Sequence, residues 1–319
     1  MNNRINQVSI ILVLFILFLI IAAGCNDTSS PNESQTSPSE PLTSNEPVTY
    51  PTNMEWQLSQ PQTNTLLGIW SSSETDVFAV GSSGTILHYD GIAWDVMDSS
   101  TDVTLYGIWG SSSNNVYAVG RNGTILHFDG ILWSPIDSGT TNDLNDIWGS
   151  SSSDIYAVGI YGTLLHYDGR TWCSVQLDFD RILMDIWGTS SSDVFAVGSG
   201  NVIFHYDGQD WTLMNEMTDD IAILVSVWGS SSENVIVGGY QGEMMRYDGK
   251  VWRKMESYTR ETIGDIWGSS LNSVFVINGT DIILHFDGRQ WSSINTGTEK
   301  DIFAVGEDGM ILHYSEENP

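Results

Sequence analysis

The sequence predicts an all-β, seven-bladed β-propeller whose last blade is three-stranded and closed by a strand from the N-terminal side. Three observations predict it. The tryptophan of an Ile/Val-Trp pair recurs at Trp70, Trp109, Trp148, Trp187, Trp228 and Trp267, in steps of 39, 39, 39, 41 and 39 residues, a period that marks stacked structural repeats. Each unit holds four short apolar runs divided by turn residues, the pattern of one propeller blade. The "AVG" run, the "ILHY" run and the tryptophan of the fourth run each occur seven times.

Within the unit, the first strand is Leu144 to Gly149 and the second Asp154 to Gly159. The serines between them bond their own backbone and favour a turn. Gly159-Ile160-Tyr161-Gly162 supplies two permissive glycines around a two-residue tip, and Gly162 to Tyr167 is the third strand. Asp168-Gly169 is a strong hairpin signal, and the fourth strand begins around Trp172. The middle strands read as unbroken apolar runs, as expected where both faces pack on neighbouring blades. No part of the unit has a 3.6-residue period, which excludes a helical solenoid.

The repeat is out of phase with the chain. Trp56 precedes every other strand, and the chain ends on a third-type strand at 311–314. Pairing these two would close the ring and remove an open edge. Trp291 and His313 are 22 residues apart, against 33 for Trp133 and His166. The missing segment corresponds to the "IWGSSS" strand, hence the expectation of a three-stranded last blade.

The words "IWGSSSxDVYAVG", "GTILHYDG" and the tryptophan that follows resemble the repeats of bacterial secreted propellers of the YVTN-like or WD-repeat-like kind. The "Y/F-D-G-x-x-W" turn is also similar to the Asp-box of sialidases and of photosystem assembly-factor propellers, although here Asp and Gly are adjacent and His-Tyr or His-Phe replaces the usual serine. The resemblance covers residues 54 to 314. It implies a fold and leaves the activity open.

The first 53 residues stand outside the repeats. Arg4, an apolar run from Val8 to Ile21 and Ala22-Ala23-Gly24-Cys25 have the layout of an export signal. The small residues before the cysteine resemble a bacterial lipoprotein signal, which implies cleavage before Cys25 and lipid on that residue. An uncleaved membrane anchor is the alternative, for which the run is somewhat short. Residues 26–53 hold five of the eight prolines and almost nothing apolar, the composition of a tether that cannot fold alone. The expected organisation is a signal over 1–24, a lipidated cysteine and tether over 25–53, and the propeller over 54–319.

With 11 Lys and Arg against 40 Asp and Glu, the net charge is −29. That argues against nucleic acid and anionic bilayers as partners and leaves the lipid on Cys25 as the membrane contact. Of the two cysteines, Cys173 remains alone beside Trp172 and reads as a small core filler.

All six histidines occupy one slot, at His88, His127, His166, His205, His285 and His313. One per blade, they lie too far apart to share a metal ion and read as structural hydrogen-bond partners. The aspartates of the six Asp-Gly turns read as turn residues, and the thirteen tryptophans, all in repeat slots, as packing between blades. No cofactor is expected.

The departures from the repeat gather on one face, formed by the second-to-third tips and the loops between blades. They include Tyr106, Arg121, Tyr161, Phe179, Arg181, Tyr240, Tyr258 and Arg260. Aromatics with arginines suit recognition, while loops also vary for no reason of function. Blade five departs furthest, with Arg246 in the histidine slot, Met244 and Met245 beside it, and a longer connection through Asn215 to Asp220. The site is therefore expected near blades three to five.

Two functions follow. One is a monomeric, non-enzymatic scaffold, lipid-anchored to a bacterial membrane and facing the periplasm or cell exterior, that binds a protein or carbohydrate ligand. The other is an envelope glycoside hydrolase resembling sialidases, which would need Arg121, Arg181 and Arg260 to converge on one carboxylate.

Overall fold

Six successive units each fold into a four-stranded antiparallel sheet in chain order, innermost strand first. In the computed structural model, residues 9–12, 57–59, 61–215, 223–278, 282–293, 302–305 and 311–314 are described. Blade one comprises Leu66–Ser73, Asp76–Gly81, Ile86–Tyr89 and Trp94–Met97, and blade three Leu144–Ser151, Asp154–Gly159, Leu164–Tyr167 and Trp172–Ser174. Blades two, four, five and six begin at Leu105, Leu183, Leu224 and Ile263. Second strands such as Asn115–Gly120 are buried along almost their whole length, because each is covered by a blade on both faces.

The expected seventh blade is not found as such: six blades carry four consecutive strands each, and the remaining strands assemble differently. Ile302–Val305 and Ile311–Tyr314 pair antiparallel, and Gln57–Ser59 adds antiparallel to the second of them, Gln57 opposite His313. Ser9–Leu12 takes the other edge and runs parallel to Ile302–Val305, against the innermost strands of blades one and six. The final unit lacks its first strand, so it cannot form a blade from its own sequence. This composite sheet, with four strands rather than three, draws on both ends of the chain. Trp56 lies outside the described residues.

Adjacent blades interlock through tryptophan and glycine. A Cβ on Gly110, Gly149, Gly188, Gly229 or Gly268 would come within 2.6–2.8 Å of the indole of Trp70, Trp109, Trp148, Trp187 or Trp228 respectively, each from the preceding blade. Only glycine leaves room for that ring. Blade one, preceded by no such tryptophan, has Ser71 in this slot.

The repeated polar residues tie each blade internally. His88, His166 and His205 place Nε2 2.6–2.8 Å from an Oδ1 of Asp76, Asp154 and Asp193, and His127 is 2.7 Å from that of Asn115. Each ring stacks on the aromatic of the second strand, as His166 does on Tyr156 at 4.3 Å. In blade five Arg246 keeps the bond, donating to Asn234 at 3.0 Å. The turn aspartates accept two backbone amides each, from Arg170 and Thr171 in the case of Asp168. These bonds hold the exposed Asp168 carboxyl below its usual range. Cys173 departs from expectation: it is exposed, because the outer strand turns alternate residues to solvent.

Candidate functional site

Every innermost strand carries the same irregularity near its start. In blade three Leu144 pairs with Gly159 and Asp146 with Val158, so that Asn145 is an extra residue, and the same shift recurs in all six blades. Such a bulge re-aims a side chain. The bulged residues Leu67, Tyr106, Asn145, Met184, Val225 and Gly264 all line a central channel of about 880 Å³. This collar sits where the innermost strands meet the variable loops. In a repeat that otherwise hardly changes, six copies place six different residues there.

Below the collar the next slot reads Gly68, Gly107, Asp146, Asp185, Ser226 and Asp265. Blades one and two thus present bare backbone to the channel, and blades three to six three aspartates and a serine. These four residues bridge blades. Asp146 Oδ2 accepts from the Ile186 amide at 3.2 Å, and Asp185 Oδ2 from the Val227 amide at 2.7 Å. Ser226 Oγ donates to Asp265 Oδ1 and accepts from the Ile266 amide, both at 3.0 Å. Burial, with the Asp185 charge beside it, holds the Asp146 carboxyl well above the usual carboxylate range, and burial likewise raises Asp185. The two carboxyls accept from the same Ile186 amide, and at this separation each disfavours ionisation of the other.

The expected contact residues fall into three groups. Tyr106 belongs to the collar; burial raises its phenol, with Arg121 pulling the other way. Arg121, on the tip of blade two, sits 3.9 Å from Asp143. On blade three Tyr161 is 69% exposed with φ 55°, beside a second cavity of about 470 Å³ lined by Ser138 to Thr140, Trp172 and Phe179. Phe179 itself packs edge-on against Phe204 at 5.5 Å, and the Arg181 guanidinium lies 5.4 Å over the Phe179 ring. Half-buried Tyr240 and exposed Tyr258 and Arg260 form the third group, where the tip of blade five meets the loop at Thr259.

Tyr161 and Phe179 therefore share one cavity, but Phe179 is largely a core residue. The three arginines stand on three blades, with Arg121 turned to Asp143 and Arg181 to Phe179. Residues 216–222, in the long connection of blade five, lie outside the described residues. The sequence reading missed the collar and the aspartates beneath it; the signal was the one hypervariable letter inside "L-x-x-I-W-G".

Among the described residues no cluster of three or more His, Cys, Asp or Glu could hold a metal ion, and no helix is long and apolar enough to cross a membrane. No protein-family model and no curated protein matches the chain. Solved structures do. YCF48 bound to D1 peptide matches with a TM-score of 0.66 at 17% identity over 82% of this chain and 95% of that one. YCF48 from Cyanidioschyzon merolae gives 0.65 at 13%, over 82% and 99%. The WD40 β-propeller domain of Doa1 gives 0.69 at 12%, over 83% and 98%. At these identities the likeness establishes a WD40-like β-propeller fold.

Proposed function

We propose that the chain is a non-catalytic propeller that binds an extended segment of a partner protein across its variable face, held at a bacterial envelope by lipid on Cys25. The observation that carries the reading is the collar. The bulge that faces the channel is kept in every blade while its residue differs in every blade, from Tyr106 to the bare Gly264. Constant backbone with variable contact residues is the arrangement of a recognition surface built on a rigid scaffold. Tyr161 and Tyr258 extend the surface outward on the same face. That a propeller of similar fold has been captured with a peptide of another protein agrees with this reading.

The anchor rests on the Ala-Gly-Cys sequence after the apolar run. Cleavage there would remove Ser9–Leu12 and leave the channel-side edge of Ile302–Val305 open. The channel would then widen between blades six and one.

Capture from envelope extract by the intact chain, compared with Met184→Ser/Val225→Ser and Tyr161→Ala variants, tests the reading. The expected result is loss of the same captured protein from both variants with little change in melting temperature. Equal capture by all three would refute binding on this face.

A further inference from the structure

The face opposite the collar carries an asymmetry that the repeats themselves expose. Its outer edge is made of the six Asp-Gly hairpins, each with two tip residues before the tryptophan. In blades three, four and six these are Arg170-Thr171, Gln209-Asp210 and Arg289-Gln290, and in blade five Lys250-Val251. In the adjacent blades one and two they are Ile92-Ala93 and Ile131-Leu132. Ile92 is 88% exposed, Ile131 83% and Leu132 53%. Such exposure is not slack in the chain. The Ile92 and Ala93 amides bond Asp90 Oδ1 at 2.8 and 2.9 Å, and the Ile131 and Leu132 amides bond Asp129 Oδ1 at 2.9 and 3.0 Å. Aliphatic tips are thus held outward on rigid turns.

The position of the tether gives these tips an occupant. Gln57 stands opposite His313 just as Asp95 stands opposite His88, so the chain enters the propeller from the Asp-Gly face. It enters in the composite sheet, whose strands lie against blades one and six. The 28 residues between Cys25 and Met54, as a flexible coil, reach roughly 30 Å. A lipid on Cys25 therefore keeps this face within reach of the bilayer, and the aliphatic tips decide which part of it is seated.

We infer that the hairpin tips of blades one and two insert Ile92, Ile131 and Leu132 into the interfacial layer of a zwitterionic bilayer, seating the propeller on its Asp-Gly face with the collar turned outward. The inference rests on the lipid-anchor reading of Cys25. Apolar side chains entering the headgroup boundary add to the affinity of an acyl anchor, and the uncharged tips suit a zwitterionic surface, which does not repel a chain of net charge −29.

The test uses the full chain, expressed and processed in a bacterium, with Cys173→Ser and one added cysteine per variant: Ile92→Cys, Ile131→Cys, or the controls Arg170→Cys and Gln209→Cys. Each is labelled with an environment-sensitive fluorophore and reconstituted with phosphatidylcholine vesicles containing spin-labelled lipid. The expected result is flotation of all four, with at least twofold stronger quenching at 92 and 131 than at 170 and 209. Chains that float with equal quenching at all four sites would overturn the seating and leave the anchor standing, including the case in which another protein covers the tips. Chains that fail to float would overturn the anchor and the seating together.

Discussion

Replacing Asp185 by alanine separates the acidic part of the channel from a merely polar lining. Asp185 Oδ2 accepts from the Val227 amide of the next blade at 2.7 Å, and its Oδ1 from the Ile186 amide at 2.8 Å. Ile186 retains Asp146 Oδ2 at 3.2 Å in the variant; Val227 loses its carboxylate. A hydrogen bond to a charged group contributes about 1.5–3 kcal/mol, so Asp185→Ala should cost that much at pH 7. Asp185→Asn keeps an acceptor for Val227 and removes a negative charge, and should cost less than about 1 kcal/mol. The pH dependence gives a second reading. A carboxyl whose folded pKa lies above its unfolded value favours folding most below the unfolded value, and stability falls as pH rises toward the folded value. Both carboxyls are raised from 3.8. This pair should therefore subtract stability from about pH 4 upward, against the gain from the lowered turn aspartates, and Asp146→Asn should make the stability-versus-pH slope more positive than the parent's. Urea denaturation at pH 4 and pH 7 reads both effects. Alanine and asparagine variants of equal stability, together with an unchanged slope, would refute the raised carboxyl pair.

Other predictions follow from the same geometry. Gly149→Ala places a methyl 2.7 Å from the Trp109 ring and should cost about 1–3 kcal/mol by overpacking. Ser71→Ala, which removes a buried hydroxyl without a hydrogen-bond partner, should be neutral or slightly stabilising; calorimetry distinguishes the two. Tyr161→Gly relieves a left-handed backbone at φ 55°, worth roughly 1 kcal/mol, so a gain in melting temperature should accompany loss of partner capture. Cys25→Ser should abolish partition into detergent. A variant that keeps its N-terminal cut and its partition would remove the lipid from the account.

The repeat was legible because its physics is local. Turn glycines, apolar middle strands and a tryptophan on the first and fourth strands recur in register, and in the six blades the structure places them as the period implies. The blade number was misread where this local logic fails. The words around Ile302 and Ile311 look like any others. The strand after Trp56 was legible as their partner from the phase of the repeat, and Gln57–Ser59 does pair with Ile311–Tyr314. Ser9–Leu12, by contrast, carries no repeat word and could not be foreseen. The site was legible in part. Tyr161 and Tyr258 could be found as exceptions in loops. The collar could not be found that way, since a bulge re-aims a residue without leaving a turn signal, and alternation alone would have sent Tyr106 and Met184 to the wrong side. Phe179 shows the converse error: a residue that breaks the pattern can do so in order to fill a local gap in the core.

Ser71 marks where this molecule can and cannot be cut. At the five junctions between the six blades the earlier blade supplies a tryptophan and the later one a glycine, so the interior units carry the same joint. An excised unit heals into a contact of the same kind. At Ser71 there is no ring to receive, and the neighbouring sheet is held by hydrogen bonds between distant segments instead. Divergence in an interior blade is therefore constrained from both sides, whereas the first blade is free on one. New chain ends, fused domains and altered unit counts should be tolerated best at the composite sheet, the part of the ring outside the tryptophan–glycine joints, which serves as the molecule's own registration mark.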